Sequence, residues 1–254
     1  MTEPDELPAA LVLGARINAL AWSETLTVLG RWASARESRY VCFANVHMVV
    51  TSGHDEELAD AMRHADMATP DGAPVAWMLR KLGFPNQQRI SGTELMLAYF
   101  AEAVLSKESV FLYGSTPETL ERMTRNIRLR FPALAVAGAV SPPFRQLTVE
   151  EDQAMVDQIN ASGASTVWVS LGCPKQEKWM RAHRGIIRAL MLGVGAAFDF
   201  MAGTKPRAPV WMQKVGLEWL HRMLSEPGRL SRRYALTNSR FILGALRQLL
   251  TRRQ

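Results

Sequence analysis

Cysteine is nearly absent from this sequence of 254 residues: it has two, Cys42 and Cys173. Their wide separation fits neither a disulfide framework nor a Cys-x-x-Cys metal knuckle, and two isolated thiols suit a reducing cytoplasm. The five histidines, His47, His54, His64, His183 and His221, show no His-x-x-x-His or His-Glu-x-x-His spacing, so no metal site is expected from them. No Asp-x-Asp pair follows a strand-like run, and Glu150-Glu151-Asp152 reads as the start of a helix. No stretch approaches the roughly 18 uninterrupted apolar residues of a membrane span. The start, Met1-Thr2-Glu3-Pro4-Asp5-Glu6, lacks the basic region and apolar run of a signal peptide. The expectation is a chain that is soluble or lies on a membrane from the cytoplasmic side. Repeats and low-complexity linkers are missing too, and 48% apolar residues exclude the disordered class.

What is present is an uneven charge. The net charge is +6. From Lys214 onward nine basic residues (Lys214, Arg222, Arg229, Arg232, Arg233, Arg240, Arg247, Arg252 and Arg253) face two glutamates, Glu218 and Glu226. That segment therefore carries +7, which leaves −1 for residues 1–213. A neutral body with a basic tail points to an anionic partner for the tail: phosphate, nucleic acid or an acidic lipid surface.

Along the body, strand-like runs alternate with helical ones. Arg39 to Ala44, Asp66 to Thr69, Ser109 to Gly114, Leu134 to Val140, Thr166 to Leu171 and Ala189 to Val194 read as strands. Between them, helical spacing runs from Glu56 to His64, Ser91 to Ser106 and Pro117 to Phe131, from the capping box Thr148-Val149-Glu150-Glu151 to Ser162, and from Pro174 onward. This alternation predicts an α/β fold with a mostly parallel, Rossmann-like sheet flanked by helices. After Pro206-Arg207-Ala208-Pro209 the pattern changes. Trp211 to Leu224 reads as one amphipathic helix, Pro227-Gly228 as a break, and Arg229 to about Thr251 as another helix. The expected division is an α/β domain over residues 1–208 and a basic helical C-terminal appendage over 209–254.

Ligands of such sheets bind at the carboxyl ends of the strands. Five polar or glycine-rich clusters fall there: Asn45; Thr69-Pro70-Asp71-Gly72; Gly114-Ser115; Gly172 to Glu177, with Gln176; and Gly193-Val194-Gly195 to Asp199. Each is weak alone. Pro-Asp-Gly is an ordinary turn signature, and Lys175-Gln176 also reads as the solvated first turn of a helix. The Gly193-Val194-Gly195 run lacks the third glycine of a dinucleotide fingerprint. The acid expected about 20 positions on falls to Glu218, inside a helix, which argues against a dinucleotide-dependent oxidoreductase.

Taken together, the clusters resemble the WecG/TagA/CpsF family (glycosyltransferase family 26) over nearly the whole chain. The resemblance is carried by Asn45, Ala65-Asp66 with Pro70-Asp71-Gly72, Arg89-Ile90-Ser91-Gly92, and Phe111 to Ser115. It continues through Gly172 to Trp179, Gly193 to Asp199, Ala202-Gly203 with Arg207-Ala208-Pro209, Gly216 to Arg222, and Glu226 to Tyr234. Many separated motifs in one order are far more specific than any one of them. One departure stands out: many members carry threonine two residues before the asparagine, where this chain has Phe43.

The resemblance implies an inverting transferase that uses a UDP-sugar, with neither a cofactor nor a catalytic metal. The donor would be UDP-N-acetylmannosamine, its uronate or UDP-glucose. The acceptor would be a polyprenyl-pyrophosphate-linked saccharide at the inner face of a bacterial membrane. It matches Asp71 to a general base, Asn45 and Arg89 to the sugar pocket, and Gln176 and Asp199 to the neighbourhood of the nucleotide. Arg222, Arg229 and Arg232 match arginines closing over the pyrophosphate, and Gly114 and Gly195 belong to the same substrate-binding rim. The chemistry suits these types. A carboxylate takes the proton of the attacking hydroxyl, and guanidinium groups replace a divalent ion at the departing pyrophosphate.

The tail carries a second expectation. Arg233, Arg240 and Arg247 are seven apart and form a stripe, with Leu230, Tyr234, Phe241, Ile242, Leu246 and Leu249 as an apolar face. Such a helix lies on an anionic membrane surface, and the interleaved apolar residues favour lipid over nucleic acid. A basic nucleic-acid-binding module remains the rival from another class. Homo-oligomerisation is left open.

Overall fold

Strands that must be buried on both faces need continuous apolar sequence, and the chain supplies it. A computed structural model describes residues 7–214 and 217–251, without the side chains of Val210, Lys214, Arg222, Pro227, Arg229, Leu230, Arg232 and Arg233. The chain opens with an antiparallel hairpin, β1 (Ala9–Val12) and β2 (Ala15–Asn18), and helix α1 (Trp22–Ser34). Then β3 (Tyr40–Ala44) leads to α2 (Val46–Ser52) and α3 (Glu56–Arg63), and β4 (Met67–Pro70) to α4 (Ala73–Lys81) and α5 (Gly92–Ser106). Next come β5 (Ser109–Gly114), α6 (Pro117–Arg130), β6 (Ala135–Val140), α7 (Val149–Ala161), β7 (Thr166–Ser170), α8 (Lys175–His183) and β8 (Leu190–Gly193). The chain finishes with α9 (Ala197–Ala202), α10 (Val210–Lys214), α11 (Glu218–Ser225) and α12 (Pro227–Thr251).

The fold is α/β, as expected. β3 to β8 form one six-stranded parallel sheet in the order β4-β3-β8-β7-β5-β6. All residues of β3, β4 and β8 are buried, whereas the edge strand β6 alternates between exposed and half-buried. One core packs the hairpin and α2, α3, α4, α7, α8 and α12 on one face of the sheet. The other packs α1, α5, α6 and α9 on the opposite face. Local signals set the helix starts. Asn45, Asp55 and Thr116 cap α2, α3 and α6 through their side-chain oxygens, and Thr148 and Glu151 close the expected capping box at α7.

The C-terminal region differs from expectation in two ways. Trp211 to Leu224 is not one helix but parts of α10 and α11, between which Val215 and Gly216 lie outside the described residues. The expected break at Pro227-Gly228 is present but lies one residue earlier, at Glu226: α11 ends at Ser225 and Pro227 is the first residue of α12. At that position a missing N–H breaks no helical hydrogen bond and the fixed φ suits the turn.

Helix α12 also divides its apolar residues between two surroundings. Phe241 and Ala245 are buried against the body and Leu249 packs there. The Gln248 amide brackets the hairpin, donating to the Leu11 carbonyl at 2.6 Å and accepting from the Leu13 N–H at 2.9 Å. Leu236, Ile242, Leu243, Leu246 and Leu250 are left exposed. The single apolar face read from the sequence is thus corrected: Phe241 and Leu249 serve packing on the body, because docking turns that side of the helix toward α2 and the hairpin. Leu230 lies outside the described side chains.

Gly114 sets a limit on how the rim can be built. Its φ is +113°, and a Cβ there would sit 2.4 Å from the Ser170 carbonyl oxygen. Gly114→Ala is expected to cost at least about 2 kcal/mol, lowering Tm by about 4–8 °C. Gly30→Ala, in α1 with nothing within 4 Å of the new methyl, is expected to gain about 0.5–1 kcal/mol. Thermal melts of the two variants check this, and equal shifts in one direction would contradict it.

Candidate active site

Alternating connections build the site. The loops after β3, β4 and β7 lead to helices on one face of the sheet, whereas those after β5 and β8 lead to the other. The β8 loop therefore parts from those after β3 and β7, and the β5 loop from that after β7, and a crevice opens where they do. The register aligns the strand ends along it: Ala44 pairs with Pro70, Cys42 and Val169 with Gly193, and Gly114 with Ser170.

Asn45, Asp71 and Arg89 come together at one end of this rim. The Asp71 N–H donates to the Ala44 carbonyl at 3.0 Å, and the Ile90 N–H donates to the Pro70 carbonyl at 2.9 Å. Asn45 follows Ala44 directly and caps α2, accepting from the Met48 N–H at 3.1 Å. Gly72 backs onto it, with a hypothetical Cβ 3.8 Å from the Asn45 Cα. Phe43 is 3% exposed and belongs to the core on the opposite face, against Gly92.

Next along the rim, Gln176 is buried, which sets aside the alternative reading of it as a solvated first-turn residue. Gln176, Glu177, Met180 and His183 form the inward stripe of α8, and their spacing was the signal for it. The Gln176 Nε2 donates to the Glu177 Oε1 at 2.8 Å and to the Gly193 carbonyl at 2.7 Å. Gly195, with φ +51°, lies above the Gln176 Oε1, and the Ser170 hydroxyl donates to its carbonyl at 2.8 Å. Beyond Ser170 the crevice runs on into a cavity of about 410 Å³ beside Gly114, whose walls include Tyr113, Phe144, Lys175 and Trp179.

Charged side chains join the rim to the C-terminal helices. Arg89 donates from Nη2 to both carboxylate oxygens of Glu94, at 2.9 and 3.0 Å, and from Nη1 to the Glu218 Oε2 at 2.5 Å. Arg207 lies between the same two acids, 2.8 Å from Glu94 and 3.7 Å from Glu218. Asp199, in the first turn of α9, pairs with Lys205 at 3.2 Å, and Lys205 also reaches Glu226 at 3.2 Å. Helix α11 thus runs between two tethered glutamates, one at each side of Arg222. Sequence reasoning missed Glu94, Arg207 and Glu218 as a network, since only folding brings them to Arg89. The side chains of Arg222, Arg229 and Arg232 lie outside those described, although their backbones fall in α11 and α12. Asp66, one of the motif residues, sits elsewhere. It receives Arg39, Arg184 and the Tyr40 N–H at the opposite edge of the sheet, a structural role.

A sequence model of the glycosyl transferase WecG/TagA/CpsF family matches residues 10–254. The chain belongs to that family. It is therefore a glycosyltransferase of cell-envelope glycan synthesis, and the parallel sheet and rim described above are the frame in which this member works. Among the described residues, no helix is long and apolar enough to cross a membrane, and no group of three or more His, Cys, Asp or Glu side chains is placed to hold a metal ion.

Glu177 is the most unusual acid of this glycosyltransferase. It is fully buried, and burial pushes its carboxyl up to about 7 against the opposing pull of hydrogen bonds from Gln176, its own backbone N–H and Cys173. The folded state therefore holds this proton more tightly than the unfolded chain. Stability from this group is highest below the unfolded value of about 4.3, falls as pH rises toward 7 and is flat beyond, a loss on the order of 3 kcal/mol. Glu177→Gln is expected to be more stable than the parent at pH 8 by up to that amount, with the advantage vanishing near pH 4.5. Denaturant unfolding at the two pH values measures it; an advantage independent of pH would refute the assignment.

Proposed function

We propose that the enzyme transfers a sugar from a UDP-sugar to a polyprenyl-pyrophosphate-linked saccharide with inversion and without a metal. UDP-N-acetylmannosamine, its uronate and UDP-glucose are the candidate donors. The convergence of Asp71, Asn45 and Arg89 at one end of a glycine-lined rim is the observation that carries the reading. In this reading the sugar lies at that end, and the Asp71 carboxylate takes the proton of the acceptor hydroxyl as it attacks the anomeric carbon. UDP departs on the opposite side of that carbon. From β3 to β5 are three strand spacings, about 14 Å, so the crevice and its adjoining cavity give room for an extended nucleoside diphosphate. Asp199 and the Gly114–Gly195 stretch would border the nucleotide. The tethering of α11 at Glu218 and Glu226 favours an appendage, residues 209–254, that brings Arg222, Arg229 and Arg232 to the pyrophosphate. Arginine suits that task, being always charged and able to bind phosphate bidentately.

Asp71→Asn is expected to keep UDP affinity while turnover falls by about two orders of magnitude or more. The assay is run in excess EDTA, in which the parent enzyme should keep its rate. Turnover within threefold of the parent would remove Asp71 from the role, and loss of parent activity on chelation, restored by Mg²⁺, would remove the metal-free mechanism.

We also propose that the enzyme sits on the anionic inner face of the membrane through α12. The exposed Leu236, Leu243, Leu246 and Leu250, flanked by the exposed Arg240 and Arg247, support this. Basic residues at such a surface contribute about 1 kcal/mol each, so Arg240→Gln with Arg247→Gln should lower binding to phosphatidylserine vesicles by roughly tenfold to thirtyfold. Turnover on a short-chain, detergent-soluble acceptor should be unchanged. Unaltered vesicle binding, or equal loss of both properties, would contradict this placement.

A further inference from the structure

The two edges of the parallel sheet are closed to different degrees. At one edge the hairpin lies against β4, and Asn18 of β2 accepts from the Ala68 N–H at 2.8 Å. At the other edge β6 pairs with β5 alone, and no outward N–H or C=O of β6 has a partner among the described residues. Its six residues, Ala135 to Val140, include no charge and no proline, two usual means of keeping other strands off an edge. A bulge at Ala137, which has no counterpart on β5, is the one device that blunts it. Among the described residues, four large apolar side chains are more than three-quarters exposed. Three of them come from the segments that enter and leave β6: Leu129 at 78%, Phe144 at 79% and Val149 at 82%. Such an edge is a template for a further strand.

Helix α6 indicates whose strand it is. A groove of about 550 Å³ runs between α6 and the β6 edge, with Glu121, Thr124, Arg125 and Arg128 on one wall and Ala139 and Ser141 on the other. On the side of α6 turned to this groove the acid comes first and the two arginines follow. Glu121 and Arg125 pair at 2.9 Å while both stay largely exposed, and Arg128 has no ion pair among the described residues. A two-fold axis normal to the sheet sets β6 antiparallel to β6 of a second copy and lays the two α6 helices antiparallel on the same face. Each Glu121 then faces Arg128 of the other copy, so the surface is complementary to itself. A parallel pairing would turn one sheet over and put the two α6 helices on opposite faces, where these charges do not meet. Pro132 on one side and Pro142-Pro143 on the other lack the N–H that would extend the ladder, which favours the centred register. We infer that β6 and α6 form a docking surface for a second copy of this chain, joined edge to edge and antiparallel. The same axis keeps α12 of both copies on one face of the extended sheet, because α12 packs with α2 on the face opposite α6.

Sedimentation of the full chain over a concentration series, without lipid, should show a monomer–dimer equilibrium. A chain that is monomeric throughout would overturn the inference. Glu121→Arg sets arginine against Arg128 across the axis, and Arg128→Glu sets glutamate against Glu121. Each variant alone should dimerise at least about tenfold more weakly than the parent. Mixed in equal amounts, the two should associate with the parent's affinity, because the mixed dimer pairs arginine with glutamate at both places. Recovery in the mixture also reports that both variants are folded. Dimers that withstand both reversals would overturn the inference, since association would then run through another surface, such as the exposed leucines of α12. Weakening with no recovery in the mixture would overturn the antiparallel pairing of the two α6 helices, and the docking surface with it.

Discussion

Every polar group at the rim depends on the burial of both faces of the parallel sheet. A strand such as Tyr40–Ala44, buried at each residue, has no solvent face, so a one-residue slip would disturb two cores at once. That penalty fixes the register, and the register aligns Ala44, Pro70, Gly193 and Ser170 at one edge. The alternating connections then part the loops along this edge. Asp71 and Asn45 need no special loop to meet; two adjacent strands that end together bring them there.

Charge follows a different logic from packing. The body is close to neutral and the net positive charge lies beyond residue 213, yet the C-terminal helices are joined to the body by acids of their own. Glu218 and Glu226 pair with Arg89 and Lys205 across long sequence separations. These pairs are partly exposed, so each adds little to stability; what they contribute is the placement of α11. The basic residues left over on α12, Arg240 and Arg247, are exposed and have no ion pair among the described residues.

Much of the fold was legible because its signals are local. Continuous apolar runs marked six strands, and the Thr148 to Glu151 capping box opened α7 where expected. The rim residues were legible as strand-end positions for the same reason. Two features were misread, each where tertiary contact overrides local pattern. Trp211 to Leu224 has a helical period throughout, yet it is divided between two helices. Phe241 and Leu249 read as part of one apolar face of α12, yet docking packs them on the body, apart from the exposed Ile242 and Leu246.

The sequence by itself determined the family, the α/β alternation, the strand-end location of Asn45 and Asp71, and the concentration of positive charge in the tail. These follow from residue type and short-range spacing, which do not depend on how the chain closes. Only the tertiary structure decided which side of α12 faces the body, that Arg89 is held between Glu94 and Glu218, and that a carboxylate lies buried behind Gln176. Each of these needs residues far apart in the chain, or the choice of which side of a helix turns inward. Local propensity is blind to that choice, because an amphipathic helix fixes its own period but not the surface against which it will pack.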